Sequence, residues 1–316
     1  MQWSSGHWYP VLSSRELGKS PLARRRFGER LVFWRSNAGQ AVCLEDRCAH
    51  RGAALSLGKV CDGDIECPFH GFRFAADGVC TRVPAEGNWP IPAQLRVRAC
   101  TLREAEGYLW LWRGPAASTE ALPALPRQPS LDGLCWGETR STWPAHYTRC
   151  IENVIDYSHL PFVHRRNLGL FNRDPVTRVR VDARPGGFLF FRLDDKPGRQ
   201  FVDFTYPTLW LNTLGDRFHL AATFVPIDDD HTEVYVRWYH PWDWPGIRAL
   251  VDVYGRWSQK IVFRDDLPIV ASQQPRNVDD ADSDHLVPSD AALLAFRRLR
   301  RQHQQETRQA QGIDLP

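Results

Sequence analysis

Cys48-Ala49-His50-Arg51-Gly52 and, further on, Cys67-Pro68-Phe69-His70-Gly71 are the two stretches around which the chain is organised. They read as Cys-x-His, a spacer over Arg51–Glu66, then Cys-x-x-His. Two cysteines and two histidines on two short arms can grip a metal centre from two loops. Thiolates suit one iron of a two-iron cluster and neutral imidazoles suit the other. A structural zinc site of the Cys2His2 kind uses the same four side chains. Zinc arms usually pair Cys with Cys and His with His, whereas here each arm carries one of each. Ligand types and spacing therefore favour the iron–sulfur cluster.

Cys48, His50, Arg51, Gly52, Cys67, Pro68, His70 and Gly71 resemble the Rieske iron–sulfur family. The resemblance implies that Cys48, His50, Cys67 and His70 hold a [2Fe-2S] cluster. Rieske proteins of respiratory complexes add a disulfide-forming Cys to each loop and a Ser after the Gly. This chain has Phe69 between Pro68 and His70, and Phe72 after Gly71. Fewer hydrogen bonds to the sulfurs place the expected potential near the low end of the Rieske range, roughly −150 mV rather than +300 mV. Such a centre suits electron delivery to an oxygen-activating iron.

The 316 residues suffice for about two domains, and 43% apolar content lets each bury a core. A net charge of +3 is too small to argue for nucleic acid or an anionic membrane. Eight cysteines spread over the chain lack the density of a disulfide scaffold and read as ligands and free thiols of a reducing cytoplasm. The opening residues lack a basic start followed by an apolar run, so no secretion signal is expected. No apolar run approaches the ~20 residues of a membrane span.

Residues 7–114 read as short strands broken by turns: Leu31–Arg35, Ala41–Leu44, Ile65–Cys67, Phe72–Phe74, Leu95–Ala99 and Tyr108–Trp112, with turns at Asn37-Ala38-Gly39, Asp62-Gly63-Asp64 and Asp77-Gly78. Residues 115–135, with Pro115, Pro123, Pro126 and Pro129, form an irregular connector. Residues 136–316 form the second domain. A strand is expected over Thr139–Thr148, then a largely helical segment over 149–165. Strands follow over Val176–Asp182, Gly187–Leu193, Phe201–Tyr206, Thr208–Leu214, Phe218–Pro226 and Thr232–Tyr239. The pattern turns helical from Pro245 to about Ala271, and a last helix starts near Ser289. Its basic tail, Arg297–Arg301, reads as a solvated face near a helix C-terminus.

The helical segment carries a second constellation: Asp156, His159 and His164 within Glu152–His164. Asp156 and His159 share a helical face, and Pro161 is expected to end that turn. Two imidazoles and a carboxylate on one face of iron(II) leave positions open for O2 beside a substrate. The motif alone is weak, since a surface Asp with two hydrogen-bonded His has the same spelling. A cluster motif about 100 residues upstream reverses that weighting.

From Trp8-Tyr9-Pro10-Val11 to the last helix, the chain resembles the catalytic, α-type subunit of Rieske non-heme iron oxygenases. Within that family it is most similar to compact monooxygenases and O-demethylases and to chlorophyllide- and pheophorbide-type oxygenases. The resemblance implies a mostly β, α+β architecture: a small all-β Rieske domain, then a helix-grip domain whose antiparallel sheet wraps a long helix. It implies mononuclear iron on His159 and His164, Asp156 bridging cluster and iron between neighbouring subunits, and Asn153 close to the iron. The third iron ligand comes from the C-terminal part, which offers Asp265, Asp266, Asp279, Asp280, Asp282, Asp284 and Asp290. Family position at the start of the last helix favours Asp290, ahead of Asp284 and Asp266. The competing reading of Asp290 is a first-turn acid after the N-cap Ser289. The usual assembly is a head-to-tail homotrimer in which one protomer's cluster faces its neighbour's iron.

The sequence has no G-x-G-x-x-G after a strand and no cysteines at ferredoxin spacing. Electrons are therefore expected from a separate NAD(P)H-dependent reductase, directly or through a ferredoxin. The expected reaction is hydroxylation or oxidative demethylation of an organic, aromatic or polycyclic substrate, with monooxygenase chemistry ahead of dioxygenase. Tyr206, Trp210, Asn212 and His219 are the pocket candidates, the last two offering polar atoms. Two rivals remain: a Rieske electron carrier without oxygenase chemistry, and a zinc-bound binding module. The second metal motif, in the added ~200 residues, argues against the carrier.

Overall fold

A computed structural model describes residues 3–87, 89–115, 121–165, 179–192, 200–215 and 217–310. The chain divides into two compact units, Ser5–Leu125 and Pro126–Pro316 with Met1–Ser4. The division falls inside the expected connector, of which residues 116–120 lie outside the described residues.

The first unit contains β1 (His7–Ser13), β2 (Leu22–Arg26), β3 (Glu29–Arg35), β4 (Ala41–Glu45), β5 (Lys59–Cys61), β6 (Asp64–Glu66), β7 (Arg73–Phe74), β8 (Cys80–Arg82), β9 (Leu102–Ala105) and β10 (Tyr108–Arg113). They form three antiparallel sheets ordered β1-β10-β9, β2-β3-β4 and β5-β6-β7-β8. Three hairpins close on a two-residue X-Gly turn with both residues at positive φ: Phe27-Gly28 (54°, 75°), Asp62-Gly63 (55°, 89°) and Glu106-Gly107 (52°, 73°). Such a turn matches the strand twist, and glycine takes its second position without strain. Phe27 is an unusual residue for that backbone. Its buried ring meets Tyr9 edge-on at 4.9 Å, so packing holds what propensity disfavours. Leu95–Ala99 is not the strand expected. Arg96 bridges to Val79 and Ala99 to Leu44, so this segment crosses from one sheet to another with a single pairing at each.

The second unit contains β11 (Cys135–Trp143), α1 (Tyr147–Ile155), α2 (Leu160–Val163), β12 (Val179–Arg184), β13 (Gly187–Arg192), β14 (Gln200–Thr205), β15 (Leu209–Leu214), β16 (His219–Pro226), β17 (Thr232–His240), α3 (Pro245–Ser272) and α4 (Ala291–Ala310). The first three residues expected in the strand at Val176, and Leu193, lie outside the described residues. The seven strands form one antiparallel sheet, β11-β17-β16-β15-β14-β13-β12. Its core joins Phe188, Phe190 and Phe204 to Ile151 of α1, Phe263 of α3 and Phe296 of α4, all buried. This is the expected helix-grip arrangement.

The long helix α3 is seated by one close approach. A Cβ on Gly255 would lie 2.4 Å from Cε2 of Trp238, and a Cβ on Gly137 would lie 2.3 Å from its Nε1. The buried indole of β17 thus fits only because β11 and α3 each present glycine to it. Its Nε1 donates to Oδ1 of Asp252 on the same helix at 3.2 Å. From there one stripe of α3 runs Gly255, Gln259, Phe263, Asp266 and Val270, at the spacing of a single helical face. The opposite side exposes Trp244, Leu250, Tyr254 and Trp257.

Candidate metal centres

The two cysteine loops of the first unit share one backbone form. Cys48 donates its N–H to the carbonyl of Ala53 at 2.8 Å, and its own carbonyl accepts from Gly52 at 2.8 Å. Cys67 repeats this with Phe72 at 2.8 Å and Gly71 at 3.1 Å. Gly52 and Gly71, each four residues past its cysteine, have φ of 76° and 72°, where a side chain would be strained. The glycine position is therefore set by the cysteine rather than by the histidine, which sits at +2 in one loop and +3 in the other.

Cys48 and Cys67 are buried, whereas His50 and His70 are exposed. The imidazoles are neighbours, with ring centroids 4.7 Å apart. Phe72 stacks on His50 at 4.6 Å and 8°, and Phe69 lies 3.9 Å from His70. Burial chiefly, and then the Cys67 thiol beside it, push the Cys48 thiol up to about 11. The N–H groups of His50 and Arg51 pull it the other way. Metal must therefore displace protons to bind here. Thiols inside and imidazoles outside fit a two-iron cluster whose sulfur-ligated iron is buried and whose nitrogen-ligated iron meets solvent.

The second centre forms where α1 ends and α3 passes. Asp156 caps the C-terminus of α1, His159 is the N-cap of α2, and His164 is its C-cap. The helix therefore breaks before His159, not after Pro161, which is accommodated in the first turn of α2 because its missing N–H is not needed there. Nε2 of His164 lies 3.0 Å, and Nε2 of His159 3.8 Å, from Oδ1 of Asp266. One donor atom from each of the three residues falls within 4.8 Å of the others. Among the described residues this is the one group of three or more His, Cys, Asp or Glu donors that converges so closely. Asp266 and His164 are buried, yet Asp266 Oδ1 has no hydrogen-bond partner. A buried carboxylate oxygen and two imidazole nitrogens that converge without a well-aligned hydrogen bond between them fit a divalent metal.

The remaining imidazole nitrogens face carboxylates. His159 Nδ1 lies 3.6 Å from Asp156 and His164 Nδ1 lies 3.9 Å from Asp265. Carboxylates in that place fix ring orientation and raise ligand basicity. Burial works to raise the Asp156 carboxyl, but His159 and the Ser158 amide, at 2.6 Å, hold it below the ordinary carboxylate range.

Asp290 is not brought to this group. Its carboxylate accepts from the Val287 N–H at 2.8 Å and caps the turn before α4. Asp284 is bound to Arg149 at 2.9 Å and Arg297 at 2.6 Å. Asp266 takes the place expected of Asp290 because α3, not α4, carries the stripe that faces His159 and His164. The helical spacing of Gln259, Phe263, Asp266 and Val270 was the available signal. Asp265, the acid near His164, had no signal beyond its neighbour.

Above the three donors opens a cavity of ≈ 190 Å³. Trp143, Trp210, Phe224, Val236 and Phe263 wall it, with Asn153, Asn212 and Gln259 as polar points. Trp210 Nε1 and Asn212 Oδ1 are buried and unpartnered. Tyr206 and His219 are not among its lining residues. His219 occupies an odd position on β16, where the even positions Leu220, Ala222 and Phe224 face the cavity, and its ring pairs with Thr213 at 3.2 Å. Tyr206 bonds to the Ser4 hydroxyl and stacks on His303 at 4.5 Å.

Residues 7–99 match the Rieske [2Fe-2S] domain, and residues 143–306 match the vanillate O-demethylase oxygenase C-terminal domain. The chain belongs to the Rieske oxygenase family that joins these two domains. Chlorophyllide a oxygenase of Chlamydomonas reinhardtii is 29% identical over 93% of this chain and 47% of its own length. The structure of NdmA from Pseudomonas putida CBB5 matches with a TM-score of 0.83 at 26% identity, over 96% of this chain and 93% of that one. Dicamba monooxygenase shares the fold, with a TM-score of 0.79 at 21% identity over 97% and 99% of the two chains. The chain spans about half the length of the curated relatives it matches first. Among the described residues no helix is long and apolar enough to cross a membrane.

Proposed function

We propose that the chain is the oxygenase component of a two- or three-protein system. It would use O2 and reductase-supplied electrons to hydroxylate, or oxidatively demethylate, a flat aromatic or polycyclic substrate. The observation that carries this reading is the convergence of His159, His164 and Asp266 donor atoms within 4.8 Å at the wall of an apolar cavity, on a chain that also carries two Cys/His loops of cluster-binding form.

Cys48, His50, Cys67 and His70 would hold the [2Fe-2S] cluster, and His159, His164 and Asp266 would hold mononuclear iron. Iron there supplies O2 activation and the cluster supplies electrons one at a time. The protein's own work is positional. Asp156 and Asp265 orient the two imidazoles. The aromatic walls exclude water and lay a flat ring against the metal. Asn212 and Trp210 offer that ring an amide and an N–H donor. Asn153 lines the cavity beside Asp156 and His159.

Asp156 is suited to couple His159 to a partner protomer's cluster, because its carboxylate is partly open while it faces His159 Nδ1 at 3.6 Å. That role requires the head-to-tail trimer expected of the family. The exposed Trp244 just ahead of α3 and Leu250, Tyr254 and Trp257 on it favour an assembly over a monomer. The relatives' names, chlorophyllide a oxygenase and methylxanthine N1-demethylase, support a polycyclic substrate and leave hydroxylation and demethylation as equals. All eight cysteines are free, which favours a reducing compartment such as the cytoplasm.

The decisive experiment is O2 uptake by the iron-loaded protein with a surrogate NADH-dependent reductase and a panel of aryl ethers, N-methyl heterocycles and polycyclic ketones. Substrate-dependent uptake with stoichiometric product supports the oxygenase. A protein that holds the cluster but no mononuclear iron would be an electron carrier.

A further inference from the structure

Outside the two candidate cluster loops, Cys43 and Cys100 are brought face to face. Cys43 lies on β4, and a single antiparallel bridge joins its neighbour Leu44 to Ala99. The Cys100 N–H donates to the Cys43 carbonyl at 2.9 Å, and the Glu45 N–H donates to the Arg98 carbonyl at 2.9 Å. That register sets Cys43 directly opposite Cys100, with both side chains on one face of the pairing. Opposite residues of this kind stand roughly 5.5 Å apart at Cα, inside the roughly 4.4–6.8 Å that a disulfide spans. Both thiols are free. Cys43 is buried, whereas Cys100 is half-buried and its sulfur accepts from Nη1 of Arg98 at 3.7 Å.

The two thiols are chemically unequal. Burial, and then Cys100 beside it, raise the Cys43 thiol well above its ordinary value. The bond from the Cys43 thiol, and then the Arg98 guanidinium, hold the Cys100 thiol below its ordinary value against burial. Burial pushes the thiols of Cys80 and Cys150 up instead. A reachable thiol shifted toward thiolate attacks a disulfide, and a second thiol in contact with it resolves the adduct. We propose that Cys43 and Cys100 are a reversible redox pair, which a low-molecular-weight disulfide converts to an intramolecular disulfide. Cys100 opens the S–S bond of the incoming disulfide, forming a mixed disulfide and releasing one thiolate. Cys43 then gives up its proton and attacks the Cys100 sulfur, and the second thiolate leaves. Two cysteine thiols are oxidised, one small disulfide is reduced to two thiols, and the two cysteine protons end on them. Cys48, His50, Cys67 and His70 all lie between residues 43 and 100. The crosslink therefore closes a loop around both candidate cluster arms and restrains that segment when the thiol pool turns oxidising.

The test incubates the holoprotein anaerobically with glutathione disulfide, quenches with acid, and maps disulfides by peptide mass spectrometry without reduction. A linked Cys43–Cys100 peptide should form, and dithiothreitol should remove it. The oxidised protein should unfold at a urea midpoint at least about 0.5 M above that of the reduced protein. Cys43→Ala should halt at the glutathione adduct of Cys100 and lose the shift in midpoint. Cys100→Ala should leave Cys43 unmodified, because a buried thiol meets no oxidant. Far-ultraviolet circular dichroism of both variants should match wild type, and the wild-type map decides the linkage if either fails to fold. A wild-type protein that stops at the Cys100 adduct, a linkage through other cysteines, or a midpoint unmoved by the crosslink would each overturn the redox pair.

Discussion

Asp266 and Asp290 divide the chemistry of a carboxylate between them. One is buried and aimed at two imidazoles, and the other caps a turn. Asp266→Ala should lower total iron from about three to about two per chain while the cluster absorbance persists. Asp290→Ala should keep all the iron and lose about 1 kcal/mol of stability, as a removed cap does. Metal analysis with thermal unfolding checks both. Iron loss in the Asp290 variant alone would restore the ligand expected from family position. Asp156→Asn keeps the shape but removes the charge that faces His159. Both metals should stay bound while turnover falls at least about 10-fold. Normal turnover would sink its role as the coupling residue. His146 shows a charge effect remote from the metals. Burial, reinforced by Arg300 and Arg149, lowers this residue to about 4 against nearby Asp279 and Asp230. Below its ordinary pKa of 6.5 the unfolded chain takes up a proton that the folded chain refuses. Stability should therefore fall as pH drops from about 6.5 toward 4, by about 3 kcal/mol from this group. Urea midpoints across that range should flatten in His146→Asn.

At the scale of elements, what the sequence made legible was periodicity with turn chemistry. The strands β15 to β17 start and stop close to where alternation and glycine or proline marks predict, β12 to β14 fall on expected spans, and both long helices start where expected. The misses have physical causes. Leu95–Ala99 alternates like a strand, but its two pairings go to different sheets. The Phe27-Gly28 and Glu106-Gly107 turns carry first residues that rarely adopt positive φ, so no turn signal announced them. The break between α1 and α2 falls at Asp156–Ser158, where the Asp156 carboxylate accepts from the Ser158 N–H at 2.6 Å. That local bond competes with the helix and cannot be read from propensity. The seating of α3 was equally invisible, because it depends on Gly137 and Gly255 meeting Trp238 across the fold. Gly255→Ala should cost about 1–3 kcal/mol by overpacking and loosen iron binding without touching a ligand. Trp238→Phe in the same chain should restore part of both, by thermal denaturation and metal analysis. Full stability in the single variant would refute the close approach.

For the whole molecule, the candidate cluster loops were almost wholly legible and the candidate iron site only partly so. Cys48, His50, Cys67 and His70 are close in sequence, and local backbone form brings each pair of candidate ligands together. His159 and His164 are likewise local. Asp266 comes from about 100 residues further on, and only the packing of α3 under the sheet brings it there. The same distinction limits how the chain length can vary. Trp238 fixes the helix at Gly255, and Asp266 lies eleven residues on, close to three full turns. One residue inserted between them would swing the carboxylate by about 100° and carry it away from His159 and His164. One inserted ahead of Trp244 would leave it in place. Insertions and deletions among functional descendants of this chain should therefore gather before α3 and after Val270, and the interval from Gly255 to Asp266 should keep its length even where its side chains change.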